Sequence, residues 1–155
     1  MAVLSMVEAD NMAERIRALE SGADDVLARP IHPRELKARL HAITRRLQPN
    51  ASALQGLCVG SLTLDLANRR AMFRGQSVHL NNRQFAILAM LVRHADQIVT
   101  RQMLIEQVWG ADFRPATNLI ESNLSRLRAR LIAAGCAAIA TLRGEGYMLR
   151  SDACS

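Results

Sequence analysis

Aromatic residues are scarce in this 155-residue chain, at 3%, so Leu, Ile, Val, Met and Ala must carry the packing. Cysteine is scarcer still. Cys58, Cys136 and Cys154 are far apart, odd in number and outside any Cys-x-x-Cys spacing. That excludes a disulfide framework and a thiolate zinc site, and reads as the reduced thiols of a cytoplasmic protein. No apolar run approaches the roughly 18 residues of a membrane span. The amino terminus also lacks the cationic start and long apolar stretch of a signal peptide. A cytoplasmic protein with no membrane partner is expected. Lysine is nearly absent: Lys37 is the only one among 20 cationic residues.

What is present is hydrophobic residues, at 50% of the chain, and an unevenly placed positive charge. Residues 1–50 hold eight Lys or Arg against seven acids, and residues 51–155 hold twelve against seven. The excess is therefore +1 in the first stretch and +5 in the second. Arg binds phosphates and guanine edges bidentately, which suits nucleic-acid contact. An Arg-rich source genome explains the Arg-to-Lys ratio equally well, so placement is better evidence than identity.

Hydrophobic periodicity divides the chain into three. Residues 1–47 read as strand, helix, strand, helix, a piece of a parallel α/β layer. Ala2–Val7 suits a buried strand. Asn11 caps a helix with Glu14 placed to reach back; Met12, Ile16 and Leu19 share one face, and Gly22 stops it. Asp25–Ala28 is a second strand. Pro33 then opens a helix with Leu36, Leu40, Ile43 and Leu47 in a stripe. Residues 48–56 carry no charge and no periodicity and read as a linker.

Residues 57–151 begin with strands: Leu62, Leu64 and Leu66 alternate with polar residues, Ala71–Arg74 returns, and Ser77–Leu80 closes an antiparallel sheet. Asn81 caps a helix with Gln84 in the reciprocal position, and Thr100 caps a second. In a third helix, near 117–133, Ile120, Leu124, Leu127 and Leu131 form one apolar stripe. The opposite face carries Asn118, Ser122, Ser125, Arg126 and Ala129. Ile139–Leu142 and Tyr147–Leu149 bracket a tight turn with Arg143 at its tip.

Three helices followed by a glycine-turned hairpin form a winged helix-turn-helix. The fold class expected is α+β: antiparallel sheet, three helices and carboxy-terminal hairpin, preceded by a partial α/β fragment. The third helix fits a major groove and the hairpin reaches a minor groove. Six Arg and two acids lie between Arg114 and Arg150, placing the strongest local positive field on these elements. Arg128 and Arg130, on the flanks of the helix, serve equally well as solubilising groups.

Residues 57–150 resemble the effector domain of the OmpR/PhoB family of response regulators. The likeness runs through Leu64-Asp65-Leu66, Leu80-Asn81-Asn82-Arg83-Gln84-Phe85, Val108-Trp109-Gly110, Ser125-Arg126-Leu127-Arg128 and Thr141-Leu142-Arg143-Gly144-Glu145-Gly146-Tyr147. It implies that Ser122, Ser125 and Arg126 read bases. It implies that Trp109, Asn123 and Arg128 touch the DNA backbone, and that Arg143 enters the minor groove. Asn118 and Thr141 join this set of DNA-binding positions, and the loop 110–117 lies where the family contacts RNA polymerase. Ala140 stands where the family often has Arg, and Gln84 where it often has an acid.

Residues 2–46 resemble only the last third or so of the family's receiver domain, through Ser21-Gly22-Ala23-Asp24-Asp25, Pro30, Arg34-Glu35-Leu36 and Ala38-Arg39. The acidic pocket and phosphoacceptor Asp belong to earlier strands. Val7 and Val26 stand at the switch hydroxyl and switch aromatic, and Arg29 at the family's Lys. A chain that is not itself phosphorylated is expected. The likeness places Arg15, Asp25, Glu35 and Arg39 at a dimer interface, and Asp24 and Asp25 read as surface acids rather than a metal pair.

His32, His41, His79, His94 and the three Cys form no nucleophile–base arrangement, and no phosphate-binding or zinc motif occurs. Neither an enzyme nor a cofactor is expected. The expected partner is duplex DNA, bound by a transcriptional regulator of two-component (phosphorelay) type that forms homodimers or mixed dimers through residues 1–47. Two alternatives remain: an interaction fragment that sequesters full-length regulators in mixed dimers, and a truncated product of a response-regulator gene.

Overall fold

Leu62 and Leu64 are buried while Thr63 and Asp65 face water, the alternation of a strand with one face on a core. The computed structural model describes residues 3–47 (side chains through Thr44), 56–111 and 118–155. The expected linker, 48–56, lies almost wholly outside the described residues.

Four antiparallel strands, β3 (Leu57–Val59), β4 (Leu62–Asp65), β5 (Arg70–Phe73) and β6 (Gln76–Val78), form a meander in sequence order. β3 was not anticipated, since three residues are too few to show a period. Three helices follow: α3 (Asn82–Arg93), α4 (Arg101–Val108) and α5 (Leu119–Ala133). Asn81 caps α3 in a full capping box with Gln84, and Thr100 accepts from the Met103 N–H at the start of α4. Two of the otherwise orphaned helical N–H groups thereby gain acceptors. The hairpin β7 (Ile139–Leu142) and β8 (Gly146–Leu149) closes the domain. One core runs through all of this, including Phe73, Leu88, Leu104, Ile120, Leu127 and Leu149.

The hairpin is wedded to the helices by an additional bridge. Val99 exchanges backbone hydrogen bonds with Tyr147, at 2.8 and 2.9 Å. The chain just before α4 thus meets the wing at one antiparallel bridge. Gly146 makes this approach possible: at φ +152°, a Cβ there would overlap the Val99 carbonyl.

The amino-terminal piece is β1 (Leu4–Glu8), α1 (Met12–Glu20), β2 (Asp25–Arg29) and α2 (Pro33–Leu47), with β1 and β2 parallel. Asn11 caps α1 by accepting from the Glu14 N–H, while Glu14 takes the Asn11 side-chain amide instead of its backbone N–H. Its own core is small: Val7, Ala23 and Val26, with Ala18 and Leu19 against them. Met12 and Leu40, expected on inward faces, are exposed together with Val3 and Met6. Val26 and Leu27, neighbours on β2 that point to opposite faces of the sheet, are both buried, as is Ile43 of α2.

This piece sits on the start of α3. Asp24, expected at the surface, is buried at 6% exposure. Its carboxylate accepts from the Val3 N–H at 2.7 Å and from Asn82 Nδ2 at 2.9 Å. Arg83 donates to the Asp24 carbonyl and the Val108 carbonyl, and its guanidinium lies 5.3 Å from the centre of the Trp109 ring. Gly22, at φ +101°, packs so closely on Asn81 that a Cβ would overlap the Asn81 amide.

Candidate nucleic-acid interface

The stripe Ile120, Leu124, Leu127 and Leu131 is buried along its whole length. This fixes the rotation of α5 and decides which side chains it presents to solvent. Asn118, Ser125, Arg126 and Ala129 are exposed and Ser122 is half-buried, so these five share one open face. Its side chains are short apart from Arg126, which allows a helix of about 10–12 Å diameter to enter a groove about 12 Å wide.

Each end of α5 is fixed by local chemistry. Asn118 takes a left-handed conformation, at φ 73°, and its carbonyl accepts from the Ser122 N–H. Glu121 lies in the first turn, where a negative charge complements the helix dipole. It also receives Arg101 Nε at 3.2 Å, tying α4 to α5. Gly135, at φ 94°, follows the last turn.

Arg143 lies in the wing turn, exposed and next to Gly144 at φ 78°. Among the described residues no ion pair engages Arg126 or Arg143. Both cations are therefore open to an anionic partner. Arg128 differs, since its guanidinium donates to Thr141 Oγ1 and to the Ile139 carbonyl at 3.3 Å. Arg128 and Thr141 form a clamp that sets the wing relative to α5.

Two residues expected at DNA-backbone contacts are buried. Trp109 is 3% exposed and Asn123 fully buried. Trp109 caps the end of α4 and packs in the core beneath Arg83. Asn123 turns inward and donates to the Leu119 carbonyl at 2.9 Å. Its burial was legible in the spacing, for it stands three residues after Ile120 and four before Leu127. The loop 110–117 is described only at Gly110 and Ala111, and the rest lies outside the described residues.

The four residues expected at a dimer face lie on one side of the amino-terminal piece. Arg39 bonds Asp25 at 3.0 Å and Glu35 at 3.1 Å within the same chain. Burial works against the Arg39 charge, but the bonds to Asp25 and Glu35 outweigh it and raise its pKa. Arg15 is half-buried beside them, in a cleft that Trp109 and Arg83 also line. Leu19 of α1 packs against the winged-helix core of its own chain.

Among the described residues no group of three or more His, Cys, Asp or Glu is arranged to hold a metal ion. No described helix is long and apolar enough to cross a membrane.

Comparison with known proteins gives this geometry its context. Residues 75–149 match the family described as "Transcriptional regulatory protein, C terminal". PrrA of Mycobacterium leprae is 40% identical over 139 residues, covering 88% of this chain and 60% of the relative. The response regulator MprA of the same organism is 37% identical over 151 residues, covering 96% of this chain and 66% of the relative. The chain thus spans about three-fifths of the length of PrrA. The DNA-binding domain of RstA from Klebsiella pneumoniae, solved in complex with the RstA box, is 31% identical with a TM-score of 0.55. That match covers 63% of this chain and 98% of the RstA domain. With its effector-domain match, these relatives and a three-helix winged architecture, the chain belongs to the OmpR/PhoB family of response regulators.

Proposed function

We propose that the chain binds duplex DNA sequence-specifically as a transcriptional regulator, with α5 in the major groove and the β7–β8 wing at the adjacent minor groove. The observation that carries this reading is the open face of α5. Ser122, Ser125 and Arg126 lie on the face turned away from a fully buried stripe. The crystallised RstA–box complex supports it by fold and by partner. In this reading Arg126 and the two serines reach base edges, Arg143 enters the minor groove, and Asn118 contacts backbone at the amino-terminal end of α5. Arg128 and Thr141 act chiefly by positioning the wing.

Val7 and Val26 are buried and stand where the family carries its switch hydroxyl and aromatic. A hydrocarbon side chain offers no hydrogen bond to a phosphoryl group, which supports regulation by something other than phosphorylation of this chain. Pairing of two copies, or of one copy with a longer relative, through the Arg15–Asp25–Glu35–Arg39 face belongs to the same proposal. So does contact of the 110–117 loop with RNA polymerase.

The deciding experiment is selection of preferred duplexes from a random pool, followed by titration at several salt concentrations. An enriched motif is expected, with log K falling against log[salt] by about 0.9 per phosphate neutralised. Equal binding to heparin and to every duplex would overturn the reading.

A further inference from the structure

Two of the three cysteines meet in the core of the winged helix. Cys136 lies three residues beyond the end of α5, and Cys154 ends a short 3-10 turn, Ser151–Cys154. Both are fully buried, and their sulfurs are 4.0 Å apart. They share neither a helix nor a strand, so only the tertiary fold brings them together. Cys58, by contrast, is exposed.

The turn that carries Cys154 is held by polar contacts on several sides. The Ser61 N–H donates to the Cys154 carbonyl, Arg74 donates to the Ser155 carbonyl at 2.7 Å, and the Ser151 N–H donates to Asp96 Oδ1 at 2.9 Å. These contacts aim the Cys154 side chain at Cys136. A disulfide needs its sulfurs at about 2.05 Å. Closing the remaining gap of about 2 Å requires movement of the two side chains and of the turn that carries Cys154.

We infer that Cys136 and Cys154 form a reversible dithiol–disulfide pair, oxidised by hydrogen peroxide, that pins the carboxy-terminal turn to the end of the DNA-reading helix. In the first step a thiolate sulfur attacks the peroxide O–O bond. The sulfur becomes a sulfenic acid, and the released hydroxide leaves as water with the thiol's proton. In the second step the other sulfur attacks the sulfenic sulfur, the S–O bond breaks, and a second water departs with the second proton. One peroxide and two thiols give one disulfide and two waters.

Burial and the neighbouring Cys136 push the Cys154 thiol up to about 12, so the seated turn keeps it protonated and slow to react. Oxidation therefore proceeds through opening of the turn, and the finished bond is sheltered from reductants once the turn closes. The chain enclosed between Cys136 and Cys154 contains both strands of the wing. The disulfide would restrict the unfolded ensemble of that segment while leaving the wing turn free to meet a groove.

The test uses the full chain carrying Cys58→Ser, which removes the exposed thiol. After hydrogen peroxide, alkylation in denaturant and tryptic digestion, residues 131–143 should appear joined to residues 151–155. The joined species should be two hydrogens lighter than the sum of the two peptides, and dithiothreitol should separate them. The oxidised Cys58→Ser protein should melt at a higher temperature than the reduced one, and a Cys136→Ala version should show no such rise. In the Cys136→Ala version Cys154 should be trapped by dimedone as a sulfenic acid. The inference is overturned if both buried thiols remain fully alkylatable after a peroxide dose that consumes Cys58 in the unmodified chain. It is equally overturned if Cys154 passes to sulfinic acid with no joined peptide.

Discussion

The Asp24 carboxylate and the Asn82 amide meet at 2.9 Å across the boundary between the two parts of the chain. The same carboxylate holds the Val3 N–H that leads into β1. One buried anion thus fastens the edge of the amino-terminal sheet to the first turn of α3, whose amino-terminal dipole favours a negative charge. Asp24→Ala leaves the Val3 N–H and the Asn82 amide without this acceptor. Losing hydrogen bonds to a buried charged group should cost about 1.5–3 kcal/mol. A lower urea midpoint and faster proteolysis between residues 3 and 47 are expected. An unchanged midpoint would show that the Arg83 bonds alone hold the junction.

Arg126 and Arg128 should separate cleanly. Arg126 is exposed and free of ion pairs among the described residues, so Arg126→Ala should leave the melting temperature alone. It should weaken the preferred duplex by about 1–3 kcal/mol and broaden the selected motif. Arg128→Ala breaks the clamp to Thr141 and Ile139, and should lower stability while weakening all duplexes to similar degrees. Selection and thermal melting on both variants check this, and an unchanged motif for the Arg126 variant would place the reading face elsewhere.

Trp109 tests whether a buried indole takes part in DNA contact. Trp109→Ala removes a large core side chain and should destabilise by about 3–5 kcal/mol. The milder Trp109→Phe keeps a ring beneath Arg83. Because no phosphate contact is lost, the slope of log K against log[salt] should match that of the unmodified chain. A slope reduced by one phosphate's worth would return Trp109 to the DNA surface.

A pH dependence is expected at the carboxy-terminal turn. Hydrogen bonds from Ser151, its side chain first and its backbone N–H second, hold the Asp96 pKa below the ordinary carboxylate value. A depressed folded pKa contributes stability that is fully present above the unfolded value, near 3.8. That stability is lost as pH falls through the folded pKa. Asp96→Asn should therefore melt below the unmodified chain at neutral pH, and the two curves should converge in acid. Parallel curves at every pH would mean that the Asp96 charge is not what holds the turn.

The charged face of the amino-terminal piece gives a prediction about assembly. Arg39 is already bonded to Asp25 and Glu35 within one chain, so a partner would have to share or exchange these bonds. Exposed ion pairs contribute only about 0–1 kcal/mol each, and they set register more than affinity. If this face joins two copies, Glu35→Arg should lower the molar mass found by light scattering, and Arg15→Glu added to it should restore the mass. Heterogeneous species indifferent to both changes would point to adhesion through exposed Met6, Met12 and Leu40.

The sequence by itself determined the order of the elements other than β3, the caps at Asn81 and Thr100, the buried stripe of α5 and the Gly-turned wing. Each of these rests on local physics: the period of a helix or strand, an orphaned N–H within reach of a side chain three residues away, or a backbone angle that glycine tolerates. Only the tertiary structure decided what covers each surface. Trp109 stands four residues after buried Ile105, so helical spacing already turns it inward, but the Arg83 guanidinium over its ring arrives from α3. Asp24 became an interior anion because Val3 and Asn82, distant in sequence, bring donors to it. The Val99–Tyr147 bridge, the Arg128–Thr141 clamp and the meeting of Cys136 with Cys154 join segments that share no period. Non-local contacts of this kind are set by how helices and strands stack around one core, and a reading along the chain carries no signal for them.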